Sequence, residues 1–246
     1  MDRMLYVSMS GAKQLMNAQR INSNNLANVS THGFRADYFQ QRSMQVFGEG
    51  MPTRFYAMTE RPGFNQAPGN LETTGRALDV AIKGEGWFVV DAGNGEEAMT
   101  RAGALRLAPD GGLYTSDGRR VMGSAGPISL PPLDKIEIAR DGTISIVPQG
   151  QDPSALAVVD RLKLVNPPPE TLMKGNDGLV RIGAPGVALV NDAKVEVVSG
   201  ALEGSNVNAV EALVEMIELS RQYEMQVKMM ALANETDQAS TRAMRL

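Results

Sequence analysis

The chain has 246 residues, 43% hydrophobic and 21% charged, with a net charge of −4 and no cysteine. That is enough for one large domain or two smaller ones, and the absence of thiols excludes a disulfide framework, thiol catalysis and zinc–thiolate sites. No long basic run points to nucleic acid or anionic lipid, and no stretch approaches the ~18 apolar residues of a membrane span.

The chain begins with a helical pattern. Leu5, Met9, Ala12, Met16, Gln19, Ser23 and Leu26 recur at spacings of three and four, which predicts one helical face. Lys13, Gln14, Asn17 and Arg20 interrupt the segment, so no signal-peptide core is expected and any route out of the cytoplasm must be another one. Asn22, Asn24, Asn25 and Asn28 follow, although asparagine is a poor helix former because its amide competes for backbone hydrogen bonds. They fit either a solvated helix end or a polar face that bonds to other helices and specifies register. Gly33 supplies a stop, and His32, the only histidine, reads as a turn residue.

Residues 36–75 are rich in Gln, Gly, Pro and Met without strong periodicity, and read as an extended connector. Residues 76–200 read as β. Leu78-Asp-Val-Ala-Ile82 alternates, Gly84-Glu-Gly86 turns and Trp87-Phe-Val-Val90 returns. Turn signals at Asp110-Gly111-Gly112, Asp117-Gly118 and Asp141-Gly142 separate short apolar alternations such as Ile136/Ile138 and Ile144/Ile146. Pro131-Pro132 and Pro167-Pro168-Pro169 resist any helix. Trp87, the lone tryptophan, reads as a core residue of the β body.

The segment 201–246 predicts a long helix from Asn208 to about Ala243, with Asn208 and Glu211 resembling a capping box. Leu213, Met216, Ser220, Tyr223, Val227, Met230 and Asn234 form its stripe. Glu211, Glu215 and Glu218 have the spacing of a carboxylate ladder, but no histidine accompanies them and a solvated helix face is the better reading. Thus an α+β fold is expected, with terminal helices forming a coiled-coil-like layer and a mainly β central domain.

No catalytic constellation emerges. Gly123-Ser-Ala-Gly126 has the wrong spacing for a nucleophile elbow, and Gly84-Glu-Gly86 is too short for a dinucleotide fingerprint. Many carboxylates sit in Asp-Gly turns or on helix faces, and 5% aromatic content argues against a sugar-stacking cleft. Neither enzyme activity nor a cofactor, metal or small-molecule substrate is expected. A periplasmic carbohydrate-active protein and a surface adhesin with a coiled-coil stalk stay as alternatives of another class.

Three separated motifs carry a resemblance. Asn24-Asn-Leu-Ala-Asn-Val-Ser-Thr-His-Gly-Phe34 is similar to the rod signature of the bacterial flagellar axial proteins. Leu78 to Val90 with Thr100-Arg-Ala-Gly103 resembles that family's β-domain core, and Gly200-Ala-Leu-Glu-Gly-Ser-Asn-Val-Asn208 with Val210 to Ile217 resembles its C-terminal signature. The first residues, Met1 to Tyr6, and Leu202-Glu-Gly-Ser-Asn206 look most like the proximal-rod branch, with distal-rod and hook proteins sharing the framework. His32 departs from the Pro or Asn common at its position. The resemblance implies a structural subunit that is exported without a cleaved signal through the flagellar export apparatus. It implies helical polymerisation with itself and other rod subunits in the basal body, across the periplasm. The implied assembly interface comprises Leu5, Met9, Ala12, Met16, Asn24, Asn25, Leu26, Asn28, Leu213, Met216, Tyr223, Val227 and Met230.

Two physical expectations follow. Residues 1–35 hold four basic residues and one acidic, a net of about +3, whereas 206–246 hold four basic and six acidic, about −2. Such complementarity favours pairing of the two ends with each other. Nothing obvious within one chain is available to cover their apolar stripes, so their ordering is expected to be coupled to assembly. The β body, by contrast, is expected to fold by itself.

Overall fold

The computed structural model describes residues 2–45, 55–60, 63–93, 95–152, 156–183 and 189–244. The chain forms two compact units. Met1–Val29, Ala36–Asn65 and Val207–Leu246 make one, and Ser30–Arg35 with Gln66–Asn206 the other.

The first unit contains helix α1 (Asp2–Ala27), strands β1 (Gln40–Gln45) and β2 (Phe55–Glu60), and helix α2 (Ala209–Ala243). Asn208 caps α2, its Oδ1 accepting from the amides of Val210 and Glu211 at 3.1 and 3.4 Å. The helices run antiparallel: Asn22 meets Ala212, and Gly11, eleven residues earlier, lies against Gln226. Ser8, Ala12, Leu15, Ala18, Asn22 and Asn25 are the buried positions of α1, and Ala212, Leu219 and Ala233 those of α2. Leu15, Ala18 and Leu219 form a small core, with Phe39 and Tyr223 packed against it.

This corrects the sequence reading in two respects. Each terminal helix does find cover within the chain, from the other. The buried stripe also differs from the expected one, sharing Ala12 on α1 and leaving Leu5, Met9 and Met16 exposed. Periodicity ranks residues by hydrophobicity, but two helices close together favour small side chains in their seam. Gly11 illustrates this, because a Cβ there would stand 3.3 Å from the Gln226 side chain. A further correction concerns 36–75: β1 and β2 pair antiparallel, from Gln40 opposite Glu60 to Gln45 opposite Phe55. A hairpin thus occupies part of the expected connector.

Among the described residues the second unit is β apart from one 3-10 turn, Pro169–Thr171, and its ladders are antiparallel. Its strands are β3 (Leu71–Thr73), β4 (Val80–Lys83), β5 (Trp87–Asp91), β6 (Glu97–Thr100), β7 (Leu105–Leu107) and β8 (Leu113–Thr115). After these come β9 (Leu133–Ile138), β10 (Thr143–Pro148), β11 (Ala157–Arg161), β12 (Leu164–Val165), β13 (Leu172–Lys174), β14 (Val180–Ile182), β15 (Glu196–Ser199) and β16 (Ala201–Glu203). The largest sheet has the order β12-β5-β6-β14-β13, a second runs β11-β10-β9, and β15 with β4, β16 with β3 and β7 with β8 form pairs. Phe88, Leu105, Leu113, Ile128, Ile144 and Leu164 anchor one continuous core.

The alternation expected at 78–82 gives way to a buried run: Val80 to Ile82 are all buried, as are Trp87 to Val90 on the next strand. Strands covered on both faces read as continuous apolar runs. The expected return of the chain at Gly84-Glu-Gly86 does not make a hairpin either. β4 pairs with β15, whereas β5 pairs with β6 and β12. Gly86 has φ +129°, and a Cβ there would stand 2.6 Å from the Val195 side chain, so the sharp redirection requires glycine.

Candidate functional site

Two features of the structure gather the residues singled out from sequence. The first is the helix pair. Asn22, 1% exposed, donates from Nδ2 to the carbonyl of Ala212 at 2.7 Å. Gln19 Nε2 donates to Ser220 Oγ at 3.4 Å. Asn25 holds the backbone of Asp37 from both sides, donating to its carbonyl and accepting from its amide, each at 2.9 Å. Asn28 Nδ2 donates back to the carbonyl of Asn24 at 2.9 Å. Three of the four asparagines therefore bond to backbone, and Asn22 alone of these reaches the other helix.

The expected interface residues divide. Ala12 and Asn25 are buried in the helix pair, and Leu26, Asn28, Met216, Tyr223 and Met230 are partly buried. Leu5, Met9, Met16, Asn24, Leu213 and Val227 face outward. On α2, Val210, Leu213, Val214 and Ile217 make an exposed apolar group at the start of the helix, and Met225, Val227, Met229 and Leu232 a second one further on. Burial pushes the Glu215 carboxyl above its ordinary value, with Glu211 and Glu218 adding repulsion.

The second feature joins all three motifs inside the β unit. Strand β16 carries Glu203, 1% exposed, between two arginines. Arg101 Nη1 donates to Glu203 Oε2 at 2.9 Å and Nη2 to the Gly84 carbonyl at 2.6 Å. Arg35 Nη2 lies 2.6 Å from Glu203 Oε1, an ion pair outside hydrogen-bond angles. Gly69 donates its amide to the same oxygen at 3.0 Å. The indole of Trp87 lies 5.9 Å from the Arg35 guanidinium and 5.4 Å from that of Arg101, so its π face meets two cations. Burial pushes Arg35 down to about 10, Glu203 opposing the shift and Arg101 adding to it. Burial also lowers Arg101, against the pull of Glu203.

Backbone completes the junction. Gly33 donates its amide to the Glu203 carbonyl at 2.7 Å, and Asn206 donates its amide to the Phe34 carbonyl at 3.3 Å. The Ala67 carbonyl accepts from Asn206 Nδ2 at 2.9 Å and also from Arg35 Nη1. Lys174 Nζ donates to the Arg35 carbonyl at 2.7 Å while lying 3.9 Å from the Phe34 ring centroid. Glycine at position 33 has a local cause: its φ is +71°, and a Cβ would come within 2.3 Å of the Arg101 backbone. Sequence reasoning missed Arg35, Arg101 and Glu203, since charged residues are exposed by default. The signal that marks them is their placement in the motifs: Arg101 and Glu203 stand inside two of them and Arg35 directly follows the third.

Known proteins match these same segments. The description "Flagella basal body rod protein" fits residues 5–35, "Flagellar hook protein FlgE/F/G D1 domain" fits 81–146, and "Flagellar basal body rod FlgEFG protein C-terminal" fits 198–243. The chain is 41% identical over 242 residues to the flagellar basal-body rod protein FlgF of Salmonella typhimurium, covering 96% of each. Against FlgF of Escherichia coli the identity is 42% over 236 residues, covering 94% of each. The basal-body rod protein FlgG of Buchnera aphidicola subsp. Acyrthosiphon pisum is 33% identical over 264 residues, covering 94% of this chain and 95% of that one. With full-length identity at this level and the motifs in register, the chain belongs to the flagellar basal-body rod family.

Proposed function

We propose that the chain is a structural subunit of the proximal flagellar rod, polymerising helically with copies of itself and other rod subunits to transmit torque to the hook. It does no chemistry. The observation that carries this reading is the pair of exposed apolar groups on α2, beside a seam that α1 already fills. Exposed apolar surface of this kind marks interaction sites. The neighbours that cover it are expected to be terminal helices of other subunits, completing a coiled-coil-like layer. Charge supports the same partner. Met9, Lys13, Met16 and Arg20 form an exposed row on α1, while Glu211, Val214 and Glu218 form one on α2. Such rows are complementary between chains. Assembly in the rod, across the periplasm, follows export without a cleaved signal.

Val227→Asp tests the surface, since Val227 is 41% exposed and its substitution leaves the seam of the single chain intact. The purified variant is expected to melt like wild type, while cells carrying it lose swarming and yield basal bodies without the subunit. Normal incorporation would sink the reading. Complementation separates the rod positions: the gene is expected to restore motility to a strain lacking its FlgF relative, and rescue only of a strain lacking FlgG assigns the distal rod instead.

A further inference from the structure

We infer that the Arg35–Glu203–Arg101 cluster is a specificity lock: it makes the native arrangement of the β unit depend on the turn after α1, and so fixes where the chain leaves that unit. Three of the four places where the chain passes out of the unit, after Arg35, before Gln66 and after Asn206, lie within a few residues of the cluster. They are bonded to one another. Ala67 accepts from both Arg35 and Asn206, Asn206 donates to Phe34, and Gly33 donates to Glu203. The Glu203 side chain takes Arg35 and Gly69 on one oxygen and Arg101 on the other.

Stability alone is a poor reason for this construction. Two buried cations share one buried anion, and Nε of each arginine meets no acceptor among the described residues. Apolar side chains of similar volume would serve stability as well or better. Charges differ from apolar groups in that only one arrangement satisfies them. A turn 30–35 docked one residue out of register would carry the Arg35 guanidinium away from its anion, with Glu203 still held by Arg101, whereas a greasy contact would tolerate the slip. The three charged residues come from widely separated parts of the sequence, so the lock closes only when both ends of the β unit are in place.

Full-length protein tests this, with Trp87, the only tryptophan, as an internal reporter beside both guanidiniums. Glu203→Gln leaves the two arginines without their anion and is expected to lower the thermal midpoint by roughly 10 °C, with a change in Trp87 emission. The triple variant Arg35→Met, Arg101→Leu, Glu203→Leu is expected to recover the wild-type midpoint. Its amides at Gly33 and Asn206 are expected to lose hydrogen-exchange protection, and cells bearing it to lose motility. The lock is overturned if Glu203→Gln melts like wild type. It is equally overturned if the folded triple variant keeps that protection, or if the triple variant fails to fold, since the cluster would then serve stability. Melting and exchange are read on the purified chain, so their failure is separate from failure of the rod assignment.

Discussion

Asn22 sits where sequence rules place an apolar residue, in the seam between two helices, and its amide reaches the Ala212 carbonyl at 2.7 Å. Asn22→Ala removes that bond and opens space, and is expected to destabilise the helix pair by about 1–3 kcal/mol, measurable by urea denaturation. Gly33→Ala is expected to be worse than its single methyl suggests. The residue would have to hold φ +71° with its Cβ 2.3 Å from the Arg101 backbone, so the β unit's melting midpoint should fall. Glu215 makes a pH prediction. Its carboxyl is raised by burial and by Glu211 and Glu218, so its favourable contribution is present below the ordinary 4.5 and is lost as pH rises through the folded value. Glu215→Gln should therefore raise the melting midpoint at neutral pH and leave it unchanged well below pH 4.5.

Helix α2 shows what periodicity can and cannot decide. Its start at Asn208 and its length follow from a cap residue and an uninterrupted run of helix formers, both visible in sequence. The face it buries does not follow, because α2 is apolar on more than one side. Leu219 is 5% exposed while its large neighbours Leu213 and Ile217 are 49% and 55% exposed. Leu219→Ala should cost about 2–5 kcal/mol in the isolated chain, whereas Leu213→Ala should leave the melt unchanged. Hydrogen exchange on the monomer should be graded along the helix. Protection is expected over 212–223, where Ala212 and Leu219 are buried, and little over 234–243, where no residue is buried. Uniform absence of protection would mean that α1 does not cover α2 in solution. The hairpin of β1 and β2 escaped the sequence reading because its strands, Gln40-Gln-Arg-Ser-Met-Gln45 and Phe55-Tyr-Ala-Met-Thr-Glu60, carry no sustained alternation.

For the whole chain, the boundary of the β unit at Asn206 sharpens a truncation test. Deleting 207–246 keeps Glu203 with Arg35, Arg101 and Gly69, and Asn206 with Phe34 and Ala67, and should preserve a cooperative β melt while abolishing motility. Deleting 203–246 removes the anion between Arg35 and Arg101 and should lower that melt as well. Equal midpoints for the two truncations would show that Glu203 contributes nothing to the unit's integrity.

The sequence by itself determined the helical termini, the β body, the Asp-Gly turns and the family, because each rests on local pattern or on motifs that stand contiguous in the chain. Tertiary structure alone decided the sheet partners of β4 and β5, the buried face of each helix and the meeting of Arg35, Trp87, Arg101 and Glu203. Those outcomes depend on how closely two backbones approach and on which charges share one buried space. Such quantities belong to pairs of residues far apart in the chain, and no window of sequence contains both members.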